Sequence, residues 1–228
     1  MAKIEDGIID CCVTSPPYNK GGEGKNGGKL VTSIKYSDYS DDMDEAEYQD
    51  FQVKVLNQIA RVLKKDGSLF YNHKNRYLGG RFISPLEWIM KSDLQVRQEI
   101  VWDRIIAGNI RGWRYWNTDE RIYWLQRKDA TQKELSPDFA RFGSVWRIMP
   151  EMKKNGHPCP FPQKLPDICI SSVCKEGDIV LDPFMGSGTV AISAINNKCN
   201  FIGFELSAEY ISFAESRIAL MLSEPALF

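Results

Sequence analysis

Short apolar runs alternate along the chain with longer stretches in which apolar residues recur every three or four positions. The runs at 8–13 and 179–181 have the length of buried strands. Tyr48, Phe51 and Val55 begin a helical spacing that continues to Val62. In chain order, the predicted elements are strand 8–13, helix 44–64, strand 68–71, a short helix from Ser84 that carries Trp88 and Ile89, strands 98–103 and 121–126, helix 163–174, strand 179–181, helix 188–197, strand 201–205 and helix 207–222.

The order of these elements predicts the fold class. Strands that alternate with helices indicate an α/β fold with a mostly parallel sheet. Asp66 and Gly67 mark the predicted end of the first long helix. Residues 20–42 are rich in Gly, Lys, Ser and Asp, which predicts a mobile loop, and residues 128–160 mix basic and aromatic residues and are predicted to be irregular.

Composition narrows the class of protein further. The 228 residues are 43% hydrophobic and 26% charged, as expected for one globular domain with a sizeable core. No apolar stretch approaches the roughly 18 residues of a membrane span, and the first residues lack the apolar core of a secretory signal. The six cysteines form no Cys-x-x-Cys pair and there are only two histidines, so we expect no metal site, free thiols and a cytoplasmic location. The net charge of −1 requires any nucleic-acid surface to be local.

A glycine-rich segment after the 179–181 strand has the features of a cofactor loop. Asp182 follows the strand, and Gly186 and Gly188 allow a ligand to approach the backbone where a Cβ would clash. Glu205 ends the next predicted strand, where an acid can bind both ribose hydroxyls. The pattern also matches a dinucleotide fingerprint, so NAD and a turn without a ligand are alternatives. Against NAD, only one helix follows Glu205.

A second segment, Ser15-Pro16-Pro17-Tyr18, follows the first predicted strand. Its two prolines fix φ and keep the loop stiff. Together with Asp182-Pro183-Phe184-Met185-Gly186-Ser187-Gly188-Thr189, it resembles the amino-methyltransferases of DNA, in the arrangement where the catalytic motif precedes the cofactor motif. The resemblance extends over nearly the whole chain, including the segments 61–68, 120–124 and 157–165.

This resemblance implies a fold and an activity. The fold would be the Rossmann-like fold of methyltransferases that use S-adenosylmethionine, with circularly ordered motifs and a single catalytic domain over residues 1–228. The activity would be site-specific transfer of a methyl group to the exocyclic amine of a base flipped out of double-stranded DNA. A homodimer and a cognate restriction endonuclease are further partners that the resemblance allows.

The resemblance also assigns roles to individual residues. Ser15 and the Pro16 carbonyl would accept hydrogen bonds from the amine, and Tyr18 would stack on the base. The expected catalytic residues are Ser15, Pro16, Pro17 and Tyr18. The expected cofactor contacts are Asp182, Pro183, Phe184, Gly186, Ser187, Gly188, Thr189, Glu205, Phe161 and Lys164. His157 is expected to be structural.

The first residue of the catalytic motif bears on which base is methylated. Ser15 resembles the residue of the N4-cytosine enzymes, whereas N6-adenine enzymes more often carry Asp at that position. Ser15 therefore favours cytosine. Because Ser and Asp can both accept a hydrogen bond from an amine, adenine remains the alternative. More remote alternatives are a methyltransferase for RNA or for protein glutamine, and a non-catalytic DNA-binding relative.

Basic residues interleaved with aromatic ones suggest where DNA is bound. The expected DNA contacts are Lys20, Arg104, Arg111 and Arg114, with the 20–42 loop closing over DNA. Residues 128–156 form a candidate insert for target recognition that is short by the standard of the resembling family. The competing interpretation is that these charges are simply solvated above a core of tryptophans.

Overall fold

The computed structural model describes residues 1–19, 42–108, 112–151 and 161–223. Its strands and helices follow one another as β1 (Ile9–Thr14), α1 (Glu45–Val62), β2 (Leu63–His73), β3 (Arg76–Leu78), β4 (Arg81–Ile83), α2 (Leu86–Ile89), β5 (Leu94–Gly108), β6 (Asn117–Arg127), β7 (Val145–Arg147), α3 (Lys164–Val173), β8 (Ile179–Asp182), α4 (Thr189–Asn196), β9 (Asn200–Gly203) and α5 (Ala208–Ser223). No helix in these four ranges is long and apolar enough to cross a membrane.

A seven-stranded sheet has the order β7-β5-β6-β2-β1-β8-β9. All of its neighbouring strands pair in parallel except β6, which is antiparallel to both β2 and β5. The predicted α/β class with a mostly parallel sheet is therefore confirmed. Because β1 and β8 are parallel neighbours, the loops that follow them leave the sheet at the same edge. From there the chain continues to β2 on one side and to β9 on the other, which leaves a crevice between the two loops.

Two apolar cores cover the two faces of the sheet. One contains Leu56 and Ile59 of α1 and Trp88 of α2. The other contains Leu165 of α3 and Val190 of α4. All six residues of β1 are buried because the strand is covered on both sides, which explains why its sequence lacks the apolar–polar alternation of a half-exposed strand.

The first long helix ends earlier than its sequence pattern predicts. Asp44 caps its start, where the carboxylate accepts from the Ala46 amide at 2.9 Å. The helix stops at Val62 and passes directly into β2, so Gly67 lies within a strand. A Cβ at Gly67 would lie 3.0 Å from the Ile9 carbonyl oxygen, so glycine permits β2 to approach β1 closely here.

The middle of the chain differs from the predicted elements in three places. The β3–β4 hairpin was not predicted, and β5 is longer than the predicted strand 98–103. The segment 128–160, predicted to be irregular, contributes β7, an edge strand that pairs with β5. These short elements form through tertiary contacts, which local sequence patterns do not report.

The candidate recognition insert 128–156 therefore includes part of the main sheet. Within it, Trp146 of β7 is buried and Arg147 donates to Asp103 of β5 at 2.9 Å. Residues 152–156 lie outside the described residues, as do residues 20–41 of the predicted loop.

Candidate active site

The two predicted loops are tied together by a buried hydrogen bond. Thr14, the last residue of β1, donates through Oγ1 to Oδ1 of Asp182, the last residue of β8, at 2.8 Å. The same carboxylate oxygen accepts from the Phe184 amide at 3.0 Å. Since Ser15 follows Thr14 directly, the catalytic motif and the cofactor loop start from one point at the edge of the sheet.

The carboxyl group of Asp182 is electrostatically unusual. Burial raises its pKa from 3.8 to about 7, and the negative charge of Glu205 acts in the same direction. Hydrogen bonds from the Phe184 amide and from Thr14 act in the opposite direction. A buried carboxylate of this kind is stabilised in its charged form by a nearby cation.

The glycine-rich loop turns sharply into α4. Gly186 has a φ of 49° and Gly188 a φ of 79°, in the left-handed region that favours glycine. Gly188 also packs against α5, since a Cβ there would lie 3.0 Å from Cβ of Ala214. Arg217 of α5 donates to the Ser187 carbonyl oxygen at 2.5 Å and so holds the loop from behind.

The loop's side chains differ in their exposure. Pro183, Ser187 and Thr189 are buried, whereas residues 184–186 are partly exposed. The solvent-facing part of the loop is therefore its 184–186 tip, where backbone and the Phe184 ring are available to a ligand. The expected contacts of Ser187 and Thr189 with a cofactor remain predictions.

Glu205 lies beside this loop. It was predicted to end a strand, but it does not. The strand β9 stops at Gly203, two residues earlier. The Glu205 carboxylate accepts from the amides of Gly186, at 2.9 Å, and of Leu206 and Ser207, at 2.9 and 3.0 Å. A carboxylate has about four lone-pair positions, so three backbone bonds fix its orientation and leave capacity for a ligand hydroxyl.

Together these groups fit a nucleoside that carries a positive charge. Asp182 and Glu205 supply two acids within one loop system, and the partly exposed Gly186 leaves the backbone open at the loop tip. Phe184 supplies an apolar surface that packs edge-on against Phe51, with 6.3 Å between ring centroids. An acid for a ribose diol, a second acid for a cation and an apolar wall for a base are the groups that such a ligand requires.

The two remaining cofactor predictions fall on either side of Gln163. The Phe161 ring lies 6.3 Å from the Trp102 ring, and Lys164 is exposed at the start of α3. Gln163, which the sequence did not single out, donates through Nε2 to Asp167 at 3.2 Å and to the Thr189 carbonyl at 3.4 Å. It therefore joins α3 to the beginning of α4, beside the glycine loop.

The catalytic motif is held from the side of α1. Tyr48 donates its hydroxyl proton to the Pro17 carbonyl oxygen at 2.7 Å. Asn19 has a φ of 54°, and its side-chain amide makes two hydrogen bonds to the backbone of Met43, at 2.8 and 2.9 Å. These bonds fix the carboxyl-terminal end of the motif before any substrate arrives.

Tyr18 points its hydroxyl into a buried group of polar side chains. The hydroxyl lies 2.9 Å from Ser15 Oγ, donates to Glu120 Oε2 at 3.0 Å and accepts from Asn72 Nδ2. Arg104 completes the group by donating to Glu120 Oε1 at 3.0 Å. We refer to Ser15, Tyr18, Asn72, Arg104 and Glu120 as the Tyr18 cluster.

The Tyr18 cluster contains residues whose role the sequence did not indicate. Asn72 lies in β2, and Glu120 lies in β6, the antiparallel neighbour of β2. His73 stands next to the cluster, with its ring centroid 4.4 Å from that of Tyr18. The resemblance placed the segment 120–124 in the wall of the base pocket but gave the Glu120 carboxylate no role. For Asn72 the sequence signal was a pair of polar residues, Asn72 and His73, after an apolar strand.

The predicted DNA contacts divide between two places. Arg104 is 27% exposed and ion-paired with Glu120, close to the catalytic motif. Arg114 lies over the Tyr77 ring, 4.5 Å from its centroid, and donates to Asn117 at 3.0 Å. Lys20 and Arg111 lie outside the described residues. The contacts of all four with DNA remain predictions.

Comparison with known proteins gives consistent matches over most of the chain. The model of a family described as DNA methylase matches residues 9–216. Among curated proteins, the type II methyltransferase M.HinfI of Haemophilus influenzae is 29% identical over 250 residues, covering 99% of this chain and 67% of that protein.

Two solved structures share the fold. The PvuII DNA methyltransferase, described as cytosine-N4-specific, has a TM-score of 0.73 at 17% identity, over 100% of this chain and 83% of its own. The M1.HpyAVI–SAM complex has a TM-score of 0.62 at 22% identity, over 92% of this chain and 89% of its own. At these identities the likeness concerns the fold, and it agrees with the fold class expected from the sequence.

The raised pKa of Asp182 predicts how stability depends on pH. The folded-state pKa of about 7 lies above the ordinary value of 3.8, so this carboxyl's contribution is complete below the lower value and is lost as the pH rises through the higher one. We expect the free energy of unfolding of the wild type, relative to Asp182→Asn, to fall by about 2–4 kcal/mol between about pH 4 and pH 8. Urea denaturation at a series of pH values measures it.

The matched control for this titration is Glu176→Gln, which changes an acid that is 72% exposed. Its stability should follow that of the wild type at every pH. Parallel curves for the wild type and Asp182→Asn would contradict the assignment of the raised pKa to Asp182.

Proposed function

We infer the reaction from one premise: the chain belongs to the DNA methylase family, whose model matches residues 9–216. It is thus a member of the amino-methyltransferases of DNA, as its two motifs predict. We propose that it transfers a methyl group from S-adenosylmethionine to the exocyclic amine of a base in double-stranded DNA, with N4 of cytosine favoured. The observation that carries this proposal is the Thr14–Asp182 hydrogen bond, which brings the two motifs to one edge of the sheet.

The cofactor is S-adenosylmethionine, which when bound supplies a methyl group activated by a positively charged sulfur. Asp182 and Glu205 are suited to it because both its positive charge and its ribose hydroxyls need anionic partners. Binding of a cation beside Asp182 favours the ionised carboxylate, against the effect of burial. The family match argues against NAD.

The chain's own residues orient the other substrate. Ser15 is partly exposed, and its Oγ would accept one amine hydrogen while the Pro16 carbonyl accepts the other. The stiff prolines and the Tyr48 and Asn19 anchors hold these acceptors in place, so little ordering remains to be done when the base arrives. The Tyr18 ring would stack on the flipped base.

Cytosine is favoured over adenine because of Ser15. A neutral hydroxyl is a weaker acceptor than the Asp that is more common in N6-adenine enzymes. The fold shared with the PvuII enzyme supports neither base, because likeness at 17% identity concerns the fold alone. N6 of adenine is the alternative within the same family.

An aromatic surface beyond β2 supports the proposal that DNA is the substrate. It consists of Tyr77, Phe82, Trp113 and Arg114, and we refer to it as the hairpin surface. The Tyr77 ring lies 5.7 Å from the Phe82 ring and 5.5 Å from the Trp113 ring. Phe82 and Trp113 are 49% and 58% exposed, although large apolar side chains are usually covered. Exposed rings with an arginine among them suit bases and phosphates.

The hairpin surface follows the end of β2, which contacts the catalytic motif. Tyr77 is four residues beyond His73, whose ring packs against Tyr18. Arg104, Lys20 and Arg111 are proposed to extend the contact to DNA phosphates, together with the 20–42 loop and the 128–156 segment. A homodimer and a cognate restriction endonuclease are further partners that we propose on the basis of the resemblance alone.

The proposed reaction is tested by the product. We expect wild-type protein incubated with S-adenosylmethionine and mixed-sequence duplex DNA to give N4-methylcytosine in the digested nucleosides, measured by mass spectrometry. Ser15→Ala should lower the yield at least tenfold, because the amine loses an acceptor. Ser212→Ala, on the exposed side of α5, is the matched control and should leave it unchanged.

The other products distinguish the alternatives. N6-methyladenine would keep the family and overturn the choice of base. No methylated nucleoside, with the cofactor bound, would contradict DNA methylation by this chain alone. The same assay with RNA and with protein then tests those substrates, and a chain that binds DNA without turnover on any of them is the non-catalytic relative.

The hairpin surface makes a separate prediction about binding. We expect Arg114→Ala to weaken DNA affinity and to reduce the slope of log affinity against log salt by about one, since one phosphate contact is lost. Arg97→Ala is the matched control, because Arg97 also lies over an aromatic ring, 4.2 Å from the Trp124 centroid, but near the opposite end of β5. Equal affinity and equal slope for Arg114→Ala and wild type would exclude this contact.

A further inference from the structure

The hydroxyl of Tyr18 is not needed for stacking, yet it is the centre of the Tyr18 cluster. It donates to Glu120 at 3.0 Å, lies 2.9 Å from Ser15 Oγ and accepts from Asn72. Stacking on a base requires only the ring. The buried hydroxyl also links Ser15 to Glu120, because it is hydrogen-bonded to both.

The direction of the hydrogen bonds follows from counting protons. Tyr18 has one hydroxyl proton, and it goes to Glu120, because a carboxylate only accepts. Tyr18 Oη must therefore accept the proton of Ser15. Ser15 has then used its own proton and presents its oxygen lone pairs. Asn72 Nδ2 lies 3.3 Å from Ser15 Oγ, but its two protons are accounted for by Tyr18 and Glu120.

The surroundings of Glu120 favour this direction of donation, from Ser15 to Tyr18 and from Tyr18 to Glu120. Its side chain is 10% exposed, and both of its oxygens are engaged. Oε1 accepts from Arg104 at 3.0 Å, and Oε2 accepts from Tyr18 and, at 3.1 Å, from Asn72. The carboxylate is thus fixed by an arginine and an amide, so that it cannot rotate away from Tyr18.

We propose that Glu120 is a positioning residue for methyl transfer: acting through the Tyr18 hydroxyl, it makes Ser15 a hydrogen-bond acceptor for the substrate amine and receives the proton that the amine loses. This inference rests on the proposed function, and it adds a residue and a route that the two sequence motifs do not contain. The Asn72 amide and Arg104 hold the route in place.

The step balances in atoms and charge. The amine nitrogen forms its bond to the methyl carbon as the sulfur–carbon bond breaks, and the sulfur keeps the electron pair. The nitrogen then releases one proton to Ser15 Oγ, the Ser15 proton passes to Tyr18 Oη, and the Tyr18 proton passes to Glu120 Oε2. Ser15 and Tyr18 are neutral before and after.

A further observation agrees with this route. Burial and the nearby charge of Glu120 raise the pKa of Tyr18 well above its usual value, so Tyr18 passes a proton on rather than staying ionised.

The test separates the hydroxyl of Tyr18 from its ring. Tyr18→Phe keeps the ring and removes the route, and Glu120→Gln keeps the shape but cannot accept a proton. Glu120→Asp restores a carboxylate. The controls are Tyr71→Phe, which removes another buried hydroxyl, bonded to Gln52 at 2.8 Å, and Glu99→Gln, which changes another arginine-paired acid at 2.6 Å.

The measurement is the single-turnover rate of methyl transfer to DNA with protein and S-adenosylmethionine in excess, together with the dissociation constants of cofactor and DNA and the melting temperature. We expect Tyr18→Phe and Glu120→Gln each to lower the rate about 10- to 100-fold. Both dissociation constants should stay within about threefold of wild type. The double variant should be no slower than the slower single one, because the two groups act in series.

Glu120→Asp should recover part of the rate that Glu120→Gln loses, and the controls should keep the wild-type rate. A wild-type rate for Tyr18→Phe would overturn the inference. So would losses that appear only in the dissociation constants or in the melting temperature, or effects that multiply in the double variant. Should Tyr18→Phe not fold, the comparison of Glu120→Gln with Glu120→Asp decides.

Failure of the inference is distinct from failure of the proposed function. A wild-type protein that methylates no DNA overturns both. If the wild type methylates DNA and Tyr18→Phe and Glu120→Gln do so at the same rate, the route is overturned and the proposed function stands.

Discussion

The geometry of this protein depends on one buried contact, the hydrogen bond from Thr14 to Asp182 between the ends of two neighbouring parallel strands. Parallel pairing brings the carboxyl ends of β1 and β8 to the same edge, and this bond fixes them at their last residues. This bond fixes the points from which the segments after the two strands begin. Ser15 begins on one side, and the turn through Gly186 begins on the other. A methyl donor and an acceptor need to meet within a few ångströms, and the sheet supplies that proximity before either is bound.

Around this contact the site has two kinds of polar environment. On the cofactor side, buried Asp182 has a pKa raised to about 7 and is most stable beside a positive charge. On the base side, Glu120 is compensated by Arg104 and connected to Ser15 through the Tyr18 hydroxyl. One acid therefore favours a charged ligand, while the other fixes the direction of hydrogen bonds toward a neutral amine. Both assignments follow from burial and from donor–acceptor counting at the same edge of the sheet.

The sequence predicted what depends on neighbours along the chain. The glycine loop and the Pro-Pro turn are local, so their residues and spacing were sufficient to locate them, and the α/β class followed from the alternation of strands with helices. Glu120 was beyond such reasoning, because it reaches Tyr18 only through the pairing of β6 with β2, 102 residues away along the chain. The edge strand β7 was missed for the same reason, since a three-residue strand is stabilised by its partner β5 rather than by its own pattern.

Removing the Thr14–Asp182 bond tests this account most directly. Thr14→Val keeps the branched shape and removes the hydroxyl that Asp182 accepts from. A buried hydrogen bond to a carboxylate is worth about 1.5–3 kcal/mol. We therefore expect the dissociation constant for S-adenosylmethionine, measured by titration calorimetry, to rise about tenfold or more in a protein that still unfolds cooperatively. Unchanged cofactor affinity in a folded Thr14→Val protein would contradict the central role of this contact.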